Sequence, residues 1–225
     1  MLHRRIVRTS LVAAIAACCA SLAPVVFADA GELIPREVLF GNPERSGGAI
    51  SPDGKWLGFI APRDGVLNVF VAPADRPNEA KPITNDRLRG IRGFQFAYDG
   101  QHVLYAQDVG GDENFQVFAA PLVGGESRAL TPKGSRASVA GLSPKHPGEL
   151  LVSVNDRNPK FFDIKRVSLA DGEGTRLIEN ERFTGFVIDD DFALRFATQQ
   201  TEDGGDAWFK REGDDWAEWS RVPQE

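Results

Sequence analysis

From Gly48 onward, short apolar runs alternate with clusters of Gly, Pro, Asp and Asn. The clearest run is Trp56-Leu57-Gly58-Phe59-Ile60, which as an extended strand carries Trp56 and Ile60 on one face and Leu57 and Phe59 on the other. A strand apolar on both faces must be covered on both. The turn before it, Ser51-Pro52-Asp53-Gly54, has a mechanism: Pro52 pre-sets φ, Asp53 can bond its own backbone, and Gly54 takes positive φ. The unit returns as Ala97-Tyr98-Asp99-Gly100 with the run Gln101-His102-Val103-Leu104-Tyr105, placing Asp99 46 residues after Asp53. It returns less faithfully at Ser143-Pro144, 46 residues after Ala97, and again at Asp189-Asp190-Asp191-Phe192-Ala193-Leu194. A repeat of this length made only of short strands predicts the blades of a β-propeller.

Each repeat divides into four predicted strands. They are 48–51, 55–61, 68–72 and 81–84 in the first, and 93–97, 102–107, 115–120 and 128–131 in the second. The third has 138–142, 149–154, 161–169 and 175–179, and the fourth 184–188, 192–198, 207–211 and 216–221. Val69-Phe70-Val71-Ala72-Pro73 answers to Val117-Phe118-Ala119-Ala120-Pro121, and Pro82-Ile83-Thr84 to Ala129-Leu130-Thr131. Proline there fits an outer strand, where a missing donor costs little. Arg63-Asp64-Gly65, Ala170-Asp171-Gly172 and Gly213-Asp214-Asp215 supply hairpin turns. Around Ile34-Pro35-Arg36-Glu37 a short helical turn is expected. The predicted class is therefore all-β: a partial propeller of about four four-stranded blades in an open arc, at 48–90, 91–136, 137–181 and 182–225, after a lead-in at 29–47.

Charge adds to this picture mainly at the N-terminus. The 225 residues carry a formal net charge of −6, and no basic stripe offers a surface for nucleic acid. His3, Arg4, Arg5 and Arg8 precede an alanine-rich apolar stretch at 11–27, which ends in Ala28-Asp29-Ala30. Basic n-region, apolar h-region and small-residue cleavage site predict a helical signal peptide at 1–28, and a periplasmic or secreted protein without a stable membrane span once it is cleaved. Ile15-Ala16-Ala17-Cys18 also fits a lipoprotein signal, but the apolar run continues beyond Cys18, which favours plain cleavage. Arg4-Arg5 lacks the apolar pair of a twin-arginine signal and reads as n-region charge. Both cysteines, Cys18 and Cys19, fall inside the signal, so no thiol chemistry is expected of the mature chain.

Candidate chemistry is sparse. The sequence holds no G-x-S-x-G nucleophile elbow, and Gly134-Ser135 lies in a loop with neither the spacing nor a following helix. His102 reads as a strand residue and His146 as a loop residue without a partner. Asp108, Asp112 and Glu113 could be imagined around calcium, yet the glycines between them favour an exposed hairpin. Asp189-Asp190-Asp191 stands at a turn position. Trp208, Trp216 and Trp219 lie in strands, where core packing is expected. No residue is assigned to catalysis, cofactor binding or metal binding, and no cofactor is expected.

Asn155-Asp156-Arg157-Asn158-Pro159, followed by Asp163-Ile164 and Arg166-Val167-Ser168-Leu169, resembles a propeller segment of secreted bacterial prolyl oligopeptidase family peptidases, the dipeptidyl-aminopeptidase and acylaminoacyl-peptidase-like enzymes. The Ser51-Pro52-Asp53-Gly54 turn and the Gly110-Gly111-Asp112-Glu113-Asn114 hairpin are similar to theirs too, while Lys165 stands where an aromatic is expected. The resemblance implies a seven- or eight-bladed propeller ahead of an α/β-hydrolase domain bearing a Ser-Asp-His triad, with the propeller limiting entry to peptides. The expectation is thus a substrate-gating propeller fragment, not catalytic by itself, that meets peptide substrates through a hydrolase domain outside this sequence. The alternative is an exported TolB-like propeller acting as a non-enzymatic protein-binding module. Four blades that do not close leave two apolar end faces, so self-association through them is expected.

Overall fold

The computed structural model describes residues 33–41 and 44–224; the expected signal peptide at 1–28, with Cys18 and Cys19, lies outside the described residues. The chain divides into two compact units, one reaching Gly41 and the other beginning at Asn42. In the first, helix α1 (Arg36–Phe40) starts behind Pro35, whose carbonyl accepts from Val38 N–H, and it closes with Gly41 N–H donating to Glu37 O. A Cβ on Gly41 would stand 2.3 Å from that oxygen, which explains the glycine. Every side chain of α1 is exposed. Among the described residues no helix is long and apolar enough to cross a membrane.

The second unit is four antiparallel sheets of four strands, each in sequence order. Blade 1 is β1 (Ser46–Ile50), β2 (Trp56–Arg63), β3 (Val66–Pro73) and β4 (Lys81–Pro82). Blade 2 is β5 (Phe94–Phe96), β6 (His102–Gln107), β7 (Gln116–Pro121) and β8 (Arg128–Ala129). Blade 3 is β9 (Ala137–Gly141), β10 (Glu149–Asn158), β11 (Phe161–Ser168) and β12 (Gly174–Ile178). Blade 4 is β13 (Gly185–Ile188), β14 (Leu194–Gln200), β15 (Asp206–Glu212) and β16 (Asp215–Val222).

The turn between the first two strands repeats as its chemistry predicts. Asp53 accepts from Ser51 Oγ at 2.6 Å and Lys55 N–H at 3.1 Å, Gly54 N–H donates to Ser51 O, and Gly54 has φ +73°. Gly100 repeats this at φ +66°. In blade 4 the same position is Phe192, at φ +62°, with its N–H donating to Asp189 O. A bulky residue there is strained; its ring is buried, stacked on His146 at 4.7 Å.

Each joint between neighbouring blades is an apolar layer, as the two-faced strands require. Val69, Val71 and Trp56 of blade 1 pack on Phe96, Val103 and Tyr105 of blade 2. Leu104, Val117 and Ala119 of blade 2 meet Leu150, Val152 and Val167 of blade 3. Leu151 and Ile164 of blade 3 meet Phe186, Ile188 and Leu194 of blade 4. Among the described residues none of these layers joins blade 4 back to blade 1, so the four sheets form an open arc. Gly58 is needed at the first joint, because a Cβ would lie 2.7 Å from the Phe94 ring and 2.9 Å from that of Phe96.

The outer strands β4 and β8 are only two residues long and are secured by buried polar clasps. Thr84 Oγ1 donates to Asn68 Oδ1 and accepts from Val69 N–H, both at 2.9 Å. In blade 2, Thr131 Oγ1 accepts from Val117 N–H at 3.0 Å while Gln116 Nε2 donates to Thr131 O at 2.8 Å. Blade 3 substitutes a charge: Asp163 accepts from Asn180 N–H at 2.8 Å and takes a two-pronged contact from Arg157 at 3.0 and 3.1 Å.

Candidate functional site

Where the second and third strands of blade 2 meet the approach to its first strand, the chain forms a cleft of about 720 Å³. Phe94 and Gln95 of β5, Tyr105 and Gln107 of β6, Asp108, Glu113 and Phe115 of the following hairpin, Ser138 and Val139 of β9, and the loop residues Arg89 and Arg92 line it. Asp86, which sequence reasoning did not single out, organises that loop. Its carboxylate accepts from the backbone N–H groups of Arg87, Leu88, Arg89 and Gly90. Burial pushes its pKa up, but these donors, led by Gly90, outweigh burial and hold it below the usual carboxylate value. The signal was an Asn-Asp pair after an outer strand with Gly90 four residues on, which reads only as a loop until its donors are seen.

The loop delivers Arg89 to the hairpin. Its Nε stands 3.7 Å from Asp108 Oδ1, and a Cβ on Gly111 would lie 3.1 Å from its guanidinium, so the glycine backbone packs directly against the arginine. Asp108 is buried and accepts from Glu113 N–H at 3.3 Å. Asp112 instead closes the hairpin tip, accepting from Asn114 N–H at 3.0 Å; that donor leads the causes that lower its pKa. Gly110, Gly111 and Glu113 all adopt positive φ, the last at +60°. Of the three acidic residues considered around a cation, Asp108 thus faces an arginine and a backbone donor, Asp112 holds the donors of the hairpin tip, and Glu113 contributes its backbone N–H. Among the described residues no cluster of three or more His, Cys, Asp or Glu could hold a metal ion. The cleft offers both charge signs over a wall of Phe94, Tyr105 and Phe115, suited to a chain with polar backbone and mixed side chains.

The other candidates are structural. His102 Nδ1 lies 2.6 Å from Asp99 Oδ2 within the turn, at the opposite end of β6 from Gln107, and does not line the cleft. His146, expected to stand alone, has partners: it stacks on Phe192 and has Arg166 Nη2 at 3.3 Å and Glu149 Oε2 at 3.9 Å. Ser135 is buried, its Oγ donating to Pro132 O at 2.7 Å. Asp189 holds its turn through Asp191 N–H and Ala193 N–H, both at 2.9 Å. The tryptophans divide. Trp216 packs with Phe183 and Phe186 as expected, whereas Trp219 is 64% exposed, with only the Phe196 ring, at 5.3 Å, beside it among the described aromatic residues.

The segment that carried the family resemblance is a clasp. Asn155 Oδ1 accepts from Arg136 N–H at 2.7 Å, tying β10 to the entry of its blade. Asp156 pairs with Lys165 and Arg176, and Arg157 reaches Asp163, Glu181 and Asn180 O. Arg176 Nε lies 3.0 Å from Asp163 Oδ2 but is not aligned for a hydrogen bond. The side chain of Asp163 is 1% exposed; burial raises its pKa, but Arg157 and Asn180 N–H prevail and leave it lowered.

Comparison with known proteins decides the relationship. Over 197 residues the chain is 45% identical to dipeptidyl aminopeptidase BIII of Pseudoxanthomonas mexicana, covering 86% of this chain and 29% of that protein. The chain is similar to a peptidase of the prolyl oligopeptidase family. A Caenorhabditis elegans protein, dipeptidyl peptidase family member 6, is 26% identical over 215 residues, covering 88% of this chain and 29% of its own length. This chain thus spans less than a third of either curated relative. No protein-family model matches it. Among solved structures, the β-propeller domain of the trilobed protease from Pyrococcus furiosus superposes with a TM-score of 0.52 at 17% identity, over 78% of this chain and 56% of that one. A puromycin hydrolase gives the same TM-score at 14% identity, over 77% and 30%. Both show the propeller fold.

Proposed function

We propose that this chain is the substrate-gating propeller part of an exported prolyl oligopeptidase family serine peptidase, and that it does not hydrolyse peptides by itself. The observation that carries the reading is the 45% identity to a dipeptidyl aminopeptidase over 197 residues. Two features support it. The sequence has no G-x-S-x-G elbow, and the two histidines outside the signal are engaged in a turn and in a blade joint rather than beside a serine nucleophile. The mixed-charge cleft on blade 2 is a concave surface of the size and composition that a peptide segment can use. Export is supported by the basic, apolar and small-residue order of residues 1–30.

The test is to incubate the purified protein with aminoacyl and dipeptidyl chromogenic substrates. No turnover is expected. Turnover blocked by a serine-directed phosphonate would overturn the reading.

A further inference from the structure

Several arginines of this chain spend their donors on its own carboxylates, as Arg157 does on Asp163 and Arg166 on Glu149. The two that line the blade 2 cleft do not. Among the described residues the Arg92 side chain has neither a hydrogen bond nor an ion pair. Arg89 faces Asp108, whose Oδ1 stands 3.7 Å from Nε, beyond hydrogen-bond distance, and its Nη1 and Nη2 donate to no described residue.

The backbone that carries both arginines is nevertheless pinned. Asp86 gathers the N–H groups of the residues up to Gly90. Gly90, at φ +78°, lies so close to blade 1 that a Cβ would stand 3.1 Å from Leu67 Cβ. Between the arginines Ile91 is 1% exposed, and its N–H donates to Leu67 O at 2.8 Å. A Cβ on Gly111 would stand 3.1–3.2 Å from Nη1, Cζ and Nη2 of Arg89 alike, so the guanidinium plane lies over that glycine. A ligand here meets donors already set in place, which lowers the ordering cost of binding.

The forked N–H groups of a guanidinium match a carboxylate through two parallel hydrogen bonds. Beside them the half-buried Phe94 and the 37% exposed Phe115 offer an apolar wall. Asp108 scarcely opposes an incoming anion, because its buried carboxylate is shared between Arg89 and Glu113 N–H. The Glu113 side chain does oppose it, since it lines the cleft without a partner among the described residues.

We infer that the cleft selects peptides that carry a carboxylate, held by Arg89 and Arg92, with an aromatic residue next to it on Phe94 and Phe115. The inference rests on the peptide-facing role proposed above. The carboxylate belongs either to an acidic side chain or to a peptide's C-terminus.

The experiment is isothermal titration of the full chain with acetyl-Ala-Phe-Glu-Ala-amide, the same peptide with Gln for Glu, and acetyl-Ala-Phe-Ala-Ala as amide and as free acid. A carboxylate is expected to tighten binding about tenfold or more over its uncharged counterpart, the scale of a hydrogen bond to a charged group. Arg89→Gln and Arg92→Gln are each expected to remove most of that preference, and Glu113→Gln to widen it. Arg92 touches no described residue through its side chain, so its replacement keeps the test decisive should Arg89→Gln fail to fold. Preference confined to the Glu peptide assigns the carboxylate to a side chain, and preference confined to the free acid assigns it to the chain end. Peptides that all bind alike overturn the inference and leave the gating role standing, and a preference unchanged by Arg92→Gln overturns it too. Binding by none of the peptides overturns both.

Discussion

Asp163 shows how a single carboxylate can hold together parts of the chain that are distant in sequence. It is buried, contacts Arg157 by two oxygens and Arg176 by one, and accepts the N–H of Asn180, from which the chain enters blade 4. Asp163→Asn keeps the shape but removes the charge that two arginines face. Loss of one partner from a buried pair costs about 3–5 kcal/mol, and because both arginines are partly exposed we expect about 2–4 kcal/mol here, read from urea unfolding. Asp53 makes a prediction in pH. Its pKa is held down to about 2, from 3.8, first by the Ser51 hydroxyl and then by Lys55 N–H. A carboxyl lowered on folding stabilises fully above its unfolded value and loses that effect as pH falls through the folded one. Thermal melts should therefore show the parent's advantage over Asp53→Asn intact above pH 3.8 and fading toward pH 2. A gap that is constant across that window contradicts the assignment.

At the level of strands and sheets, the joint between blades 1 and 2 depends on the absence of one side chain. A methyl on Gly58 would enter the Phe94 and Phe96 rings at 2.7–2.9 Å. Overpacking of this kind costs about 1–3 kcal/mol, so Gly58→Ala should lower the unfolding midpoint by that measure. The period of the turns and the two-faced apolar runs made the blades legible, because both follow from local backbone chemistry and strand alternation. What could not be read were contacts between segments far apart in sequence. The clasps Asn68–Thr84 and Gln116–Thr131 repeat an amide and a threonine at matching places in two blades, but only the folded sheet shows that each pair meets. The Asp189 turn lacks a glycine and puts Phe192 in its place, a strained choice accompanied by burial against His146 and the Arg166 guanidinium. Trp219 was expected inside because it lies in a strand, and it is exposed at the irregularity in the pairing of β15 with β16. The cleft was invisible for a related reason: Arg89, Asp108 and Phe94 meet only once a loop, a hairpin and an inner strand are brought together.

For the whole molecule, an open propeller arc and a 45% identity to a dipeptidyl aminopeptidase stand beside the secretory leader proposed from the sequence. Export predicts that the intact mass of protein from a periplasmic fraction corresponds to cleavage near Ala28 or Ala30. A mass that retains Met1, or one that carries a diacylglyceryl group on Cys18, contradicts it. The proposed gating role makes a task in peptide turnover the thing to test in these blades. The most direct measurement exchanges the matching 197 residues of the Pseudoxanthomonas mexicana dipeptidyl aminopeptidase BIII for those of this chain and assays release of dipeptides from chromogenic substrates. The account predicts a folded hybrid that turns over dipeptidyl substrates and whose KM changes when Arg89 and Phe115 in the cleft are replaced by alanine. A hybrid that unfolds as cooperatively as its parent yet releases no dipeptide, or one indifferent to both replacements, would contradict it.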